Sequence, residues 1–330
     1  MVDPPDPSDP PTRLLVVAGP TATGKTDLAL QLALRVGGEV VGADSRQVYR
    51  HMEIGTARPT PAQRALVPHH LIDLAEPDQP FSLADYVALA RSAIAAIATR
   101  GRLPLLVGGA GLYIRALLRG FTLAPGTPPR PELRADLEVQ ARTEGGDALH
   151  RRLADLDPAG AARLDPRNVR RVVRALEIVL STGKPLDQAR GHADQPPYET
   201  LLIGLSGPRA ALYARADRRI DTMMANGLLE EARQLRGRGY SPTSPAMTGL
   251  GYRELGAYLD GATSLEQAVQ ATRYATHGLI RRQVVWFRRE EGIHWFSTTD
   301  PRTPQEVQAL VVAWLAGAPP APPPSTPGLP

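Results

Sequence analysis

The 330-residue chain contains no cysteine, which excludes disulfides, thiolate metal centres and cysteine nucleophiles. Lysine is nearly absent: Lys25 and Lys184 are the only two among 38 basic residues. No apolar run approaches the roughly 20 residues of a membrane span. The start, MVDPPDPSDPPTR, is acidic and proline-rich and does not read as a signal peptide. These absences make a cytoplasmic enzyme the expectation. A hydrophobic content of 42% is enough for a full core and an accessory domain, and a net charge of +4 allows an anionic partner without demanding one.

What is present begins with the surviving lysine. Residues 14–27 read LLVVAGPTATGKTD, a buried-strand pattern running into G-x-x-x-x-G-K-T and then a helical pattern. This is a phosphate-binding loop in its proper setting, the pattern of nucleotide- and ATP-binding sites. Gly19, Pro20, Thr21, Ala22, Thr23 and Gly24 form the turn. Its N–H groups converge on phosphate oxygens, Lys25 adds a point charge, and the Thr26 hydroxyl can reach a magnesium ion. In a chain that otherwise uses arginine, a lysine at this position suggests that a planar fork does not fit there. The loop binds a polyphosphate, but the motif does not say whether phosphate is transferred, hydrolysed or released.

The apolar runs LLVVAG (14–19), EVVGAD (39–44), HHLIDL (69–74) and LPLLVGG (103–109) alternate with helical patterns. That alternation predicts an α/β fold: a P-loop NTPase-like parallel sheet, with functional groups at the carboxyl ends of the strands. After the proline-rich break TLAPGTPPRPEL, residues 131–190 read as helical throughout. ETLLIGLSG (199–207) then returns to the sheet as a strand, followed by helices at 209–238 and 264–290. The expected organisation is a core at 13–120, an all-helical insertion at 121–198, the rest of the core at 199–315, and disordered tails at 1–12 and 316–330.

Several groups carry further chemistry. Asp44, after the second strand, reads either as a general base or as a turn cap or magnesium-linked acid. Gln47 can bond a base edge. The glycines of GGAGLY (108–113) admit a ligand or serve tight packing. Arg215 and Arg219 share one helical face and read as a diphosphate clamp or as solvated cations. Basic clusters at 166–190 and 271–294, the second written RRQVVWFRR around Trp286 and Phe287, hint at a cleft for nucleic acid, or at two solvated helix faces. His69 and His70 read as structural.

Taken together, GPTATGKT, DSRQVYRHMEIGTARP, PHHLID, LLVGGAGLY, RALEI, LYARADRRIDTMM, GLGYREL and RRQVVWFRR resemble the tRNA dimethylallyltransferase (tRNA isopentenyltransferase) family over about residues 13–300. The resemblance implies that the loop, with Mg²⁺, holds the diphosphate of dimethylallyl diphosphate and transfers no phosphoryl group. The N6 amine of an adenosine beside the tRNA anticodon attacks the allylic carbon instead. Asp44 would be the general base, Thr26 the magnesium ligand, and Lys25, Arg215 and Arg219 the groups that stabilise the leaving diphosphate. The implied tRNA contacts are Asp44, Ser45, Arg46, Gln47, Ala110, Arg170, Arg171, Arg174, Gly251, Tyr252, Arg281, Arg282, Gln283, Trp286 and Arg288. The reactive adenosine would be flipped out of its stack. The aspartate-rich DDxxD motif of prenyl synthases is absent, consistent with the loop taking over diphosphate binding.

The chain departs from the family pattern at Ala110, where threonine is usual, at His277, where arginine is usual, and at Thr248, where glutamine or arginine is common. A small-molecule kinase of the shikimate-kinase kind and an adenylate isopentenyltransferase share the core and stand as alternatives. Against them stand the helical insertion and the two basic clusters. The protein is expected to act as a monomer.

Overall fold

The computed structural model describes residues 11–120, 122–123, 130–191 and 198–318. Residues 1–10 and 319–330 of the expected tails, residues 124–129 of the proline-rich break and the Arg190 side chain lie outside the described residues. The chain divides into two compact units, one of residues 1–117 with 198–330 and one of residues 118–197.

The first unit is built on β1 (Thr12–Ala18), α1 (Lys25–Val36), β2 (Gly38–Ala43), α2 (Pro61–Leu66), β3 (His69–His70), α3 (Leu83–Thr99), β4 (Leu103–Gly108) and α4 (Gly111–Leu118). β1 opens at Thr12, inside the segment read as a tail. Leu14 to Val17 are fully buried, as expected of a central strand covered on both faces. The second unit follows with β5 (Thr122–Leu123), α5 (Pro131–Thr143), α6 (Gly146–Leu156), α7 (Pro158–Ala162), α8 (Val169–Thr182), α9 (Leu186–Ala189) and β6 (Arg190–Gly191). The chain then returns to the first unit through β7 (Tyr198–Ser206), α10 (Arg209–Ala225), α11 (Leu228–Gly237), α12 (Tyr252–Leu259), α13 (Leu265–Phe287), β8 (Ile293–Ser297) and α14 (Thr303–Leu315).

Six strands form one parallel sheet in the order β3-β2-β4-β1-β7-β8. Leu15 and Val17 of β1 pack with Leu28 and Leu32 of α1, Leu201 and Ile203 of β7, and Val311 and Trp314 of α14. Two details differ from the sequence reading. HHLIDL yields only two strand residues, because Leu71 (φ 65°) and Asp73 (φ 56°) turn into the left-handed region and end the extended chain. IHWFS forms an unanticipated sixth strand at the sheet edge, paired with β7.

In the second unit α8 is the central helix. Asn168 caps its start by accepting from Arg171 N–H, and Gly183 (φ 65°) closes its end. Val172, Val173 and Leu176 face Leu137, Leu149 and Leu153 of α5 and α6. Glu177 is buried among them and accepts from Arg134, Arg174 and the Arg130 N–H. Burial alone would raise its pKa, but these hydrogen bonds outweigh that and hold it below the usual carboxylate range. Arg174 thus pairs with an internal carboxylate while its side chain stays partly exposed. Arg170 and Arg171 on the same helix are exposed.

Candidate active site

The loop between β1 and α1 is shaped by close packing. Gly19 lies at φ 144°, and a Cβ there would stand 2.3 Å from Leu205 O, so only glycine fits. Gly24, at φ 83°, precedes the first turn of α1, and Arg215 Nη2 lies 3.2 Å from where its Cβ would be. Thr23 Oγ1 and Lys25 Nζ both donate to Pro20 O, at 2.9 and 2.6 Å. The Lys25 side chain is half-buried. Loss of water around its ammonium, and then the charge of Arg219, push its pKa down to about 7 against the opposing pull of Asp44.

One cavity of about 130 Å³ opens at the carboxyl edge of the sheet. Thr21, Lys25 and Thr26 line it from the loop side, Asp44 and Gln47 from the end of β2, and Arg219 and Gln283 from α10 and α13. Cations thus share the cavity with a carboxylate. Asp44 Oδ1 accepts from Arg46 N at 2.7 Å and Gln47 N at 3.4 Å, an Asx-type turn that fixes the carboxyl. Its Oδ2 accepts no hydrogen bond from the described residues. The cap reading and the base reading are therefore compatible, one oxygen serving each.

The loop that carries Asp44 is held by distant side chains. Arg46 Nη1 donates to Pro245 O and to Thr248 Oγ1, so the unusual Thr248 anchors an arginine. Gln47 Nε2 donates to Thr56 O and Ala57 O, which ties its side chain to the loop. Glu231, at the start of α11, accepts from the N–H groups of Glu53, Ile54 and Gly55 and from the Tyr252 hydroxyl. Sequence reasoning missed Glu231 entirely. Tyr252 is fully buried in this contact and follows Gly251 (φ 86°), so its ring serves the frame of the loop.

Packing accounts for the second glycine turn. A Cβ on Gly108 would stand 2.0 Å from Ala43 O, one on Gly109 2.4 Å from Gln283 Nε2, and one on Gly111 2.1 Å from Trp286 Nε1. Ala110 donates its N–H to Ala43 O. Arg115 covers the Trp286 ring at 4.4 Å and pairs with Glu290. Trp286 is thus partly buried, with one ring face already taken by Arg115. On α13, His277 bonds Asp217 at 2.8 Å and stacks on Tyr213 at 4.0 Å between ring centroids. Arg281, Arg282 and Arg288 are exposed, Arg281 also donating to the Tyr213 hydroxyl, and Ser45 is exposed beside Asp44. His70 pairs with Glu39, and His69 bonds Val67 O.

Among the described residues no cluster of three or more His, Asp or Glu side chains forms a metal cage. Magnesium, however, usually takes one or two protein oxygens plus substrate phosphates and waters. The Thr26 hydroxyl and the Asp44 carboxylate, hard oxygen donors lining one cavity, fit an ion of that kind.

Comparison with known proteins decides the family. The IPP transferase family model matches residues 47–290, and the isopentenyl transferase model matches residues 12–67. The chain belongs to the IPP transferase family. It is 53% identical over 298 residues to a tRNA dimethylallyltransferase of Roseiflexus castenholzii, covering 90% of this chain and 97% of that one. A tRNA dimethylallyltransferase of Thermomicrobium roseum is 50% identical over 288 residues, 87% of each chain. The crystal structure of a tRNA isopentenylpyrophosphate transferase from Bacillus halodurans superposes with a TM-score of 0.70 at 39% identity, over 93% of this chain and 97% of that one. A eukaryotic dimethylallyltransferase acting on tRNA gives 0.82 at 26% identity, over 93% and 80%. The family's fold is the P-loop NTPase-like sheet described above, and the small-molecule kinase alternative is not retained.

Proposed function

We propose that this protein transfers the dimethylallyl group of dimethylallyl diphosphate to N6 of the adenosine on the 3′ side of a tRNA anticodon, releasing diphosphate. The observation that carries this reading is the shared cavity, lined by Lys25 of the phosphate loop, Arg219 of α10 and Asp44 at the end of β2. Family membership supports it.

The chemistry follows from that arrangement. The N6 lone pair forms a bond to the allylic carbon while the carbon–oxygen bond to diphosphate breaks, so negative charge grows on the departing oxygens. Lys25, Arg219, Arg215 and the loop N–H groups stabilise that charge where it develops. Asp44, with Oδ1 occupied by its own turn, takes the N6 proton on Oδ2. A magnesium ion held by Thr26 would supply further charge neutralisation for the diphosphate. Arg281, Arg282 and Arg288 of the first unit and Arg170 and Arg171 of the second are the exposed cations proposed to meet RNA phosphates.

On this reading the protein acts in the cytoplasm as a monomer. Among the described residues, no helix is long and apolar enough to cross a membrane. Incubation of the purified protein with Mg²⁺, labelled dimethylallyl diphosphate and an anticodon stem-loop bearing that adenosine should place label in the RNA. An unlabelled RNA under these conditions overturns the proposal.

A further inference from the structure

Gln283 stands between two parts of the site that β1 and β4 carry separately. Its Oε1 accepts the Thr21 N–H at 2.9 Å, and its Nε2 donates to Gly109 O at 3.0 Å. The orientation of the amide is fixed by chemistry, since Thr21 N–H can only donate and Gly109 O can only accept. The absence of a side chain at Gly109 is what admits the amide, because a Cβ there would lie 2.4 Å from Nε2. Both ends lead to reacting groups. Thr21 lies in the loop whose lysine faces the diphosphate site. Gly109 is followed by Ala110, whose N–H donates to Ala43 O, the residue before Asp44.

We infer that Gln283 is a positioning residue that sets the distance between the diphosphate-holding loop and the Asp44 side of the cavity, and is not primarily an RNA contact. The inference rests on the proposed prenyl transfer. Two reactants held on separate loops react at a rate that depends steeply on their separation, and a displacement of about 1 Å is enough for a hundredfold loss. A side-chain amide with both its oxygen and its nitrogen engaged is a rigid spacer for that purpose. The same helix carries the exposed Arg281 and Arg282 immediately before it, so the helix proposed to meet RNA also holds the donor loop.

Gln283→Met keeps the volume and removes both hydrogen bonds. Gly109→Ala keeps Gln283 but denies it the space, and serves if the first variant folds poorly. For each, the single-turnover transfer rate at saturation, the Kd for inorganic pyrophosphate with Mg²⁺ and the Kd for the stem-loop would be measured. The expected result is a rate about 10- to 100-fold lower with both Kd values within threefold of wild type, and no additivity in the double variant. A rate within threefold of wild type overturns the inference. So does a stem-loop Kd weakened more than tenfold with an unchanged saturating rate, which would make Gln283 an RNA contact. Hydrogen exchange at the Thr21 amide tests the latch without turnover: it should quicken at least tenfold in Gln283→Met, and unchanged exchange also overturns the inference. If wild-type protein itself fails to label RNA, the proposed function has failed instead, and the exchange measurement still decides whether the latch exists.

Discussion

The Tyr252 hydroxyl donates to Glu231 Oε1 at 2.6 Å, and the same carboxylate gathers three successive backbone N–H groups from residues 53–55. A helix-borne carboxylate thereby pins a long irregular loop whose first residue is Asp44. Tyr252 also presses on the loop directly, its Cζ lying 2.5 Å from where a Cβ on Gly55 would stand. Tyr252→Phe keeps the ring and removes one hydrogen bond to a charged acceptor. It should lower the unfolding free energy by about 1.5–3 kcal/mol, read from urea denaturation. A loss below about 0.5 kcal/mol would show that the loop is held without this bond.

Asp44→Asn preserves the Oδ1 acceptor for Arg46 and Gln47 and removes the base. Transfer should fall by about 10²- to 10⁴-fold while stem-loop affinity stays within a few-fold. Collapse of RNA binding would recast Asp44 as a recognition group.

Lys25, with its pKa near 7, is mostly neutral at pH 8 in the empty site. A bound diphosphate restores the charged form, so donor binding at pH 8 should take up nearly one proton per site at Lys25. At pH 6 that lysine already carries its proton and contributes no uptake. Calorimetry in buffers of different ionisation enthalpy measures this, and the uptake at pH 8 should vanish in Lys25→Met. Equal enthalpies across buffers at pH 8 in the wild type would contradict it.

Glu177 tests the second unit. Its folded pKa is depressed, so its stabilising contribution is complete above the ordinary glutamate range near about 4.3 and is lost as pH falls through the lower folded value. Glu177→Gln should cost about 1–3 kcal/mol at pH 6, and the gap to wild type should close as the medium is acidified below pH 4. A pH-independent gap would mean that packing rather than charge carries the effect.

Arg281→Ala with Arg282→Ala should reduce the slope of log Kd against log salt for the stem-loop by about 1.5. An unchanged slope would place the RNA elsewhere on the molecule.

The sequence by itself determined what depends on near neighbours. The phosphate loop was legible because strand, glycine turn, lysine and helix start lie within a single segment, 14–27. The parallel sheet was legible from alternating strand and helix patterns, and the place of Asp44 from its position after β2. Local backbone choices already escaped it. The left-handed Leu71 and Asp73 cut the third strand to two residues, and IHWFS joined the sheet only because β7 offered it an edge. The site's internal scaffold was beyond reach altogether. Gln283 meets Thr21 across 262 positions, and Glu231 meets Gly55 across 176. Periodicity and spacing describe one element at a time, whereas those hydrogen bonds exist only once separate elements have packed. For the same reason Trp286, Tyr252 and Arg174 looked like surfaces for RNA in the sequence. Their contacts with Arg115, Glu231 and Glu177, and the burial of Tyr252, are supplied only by tertiary structure.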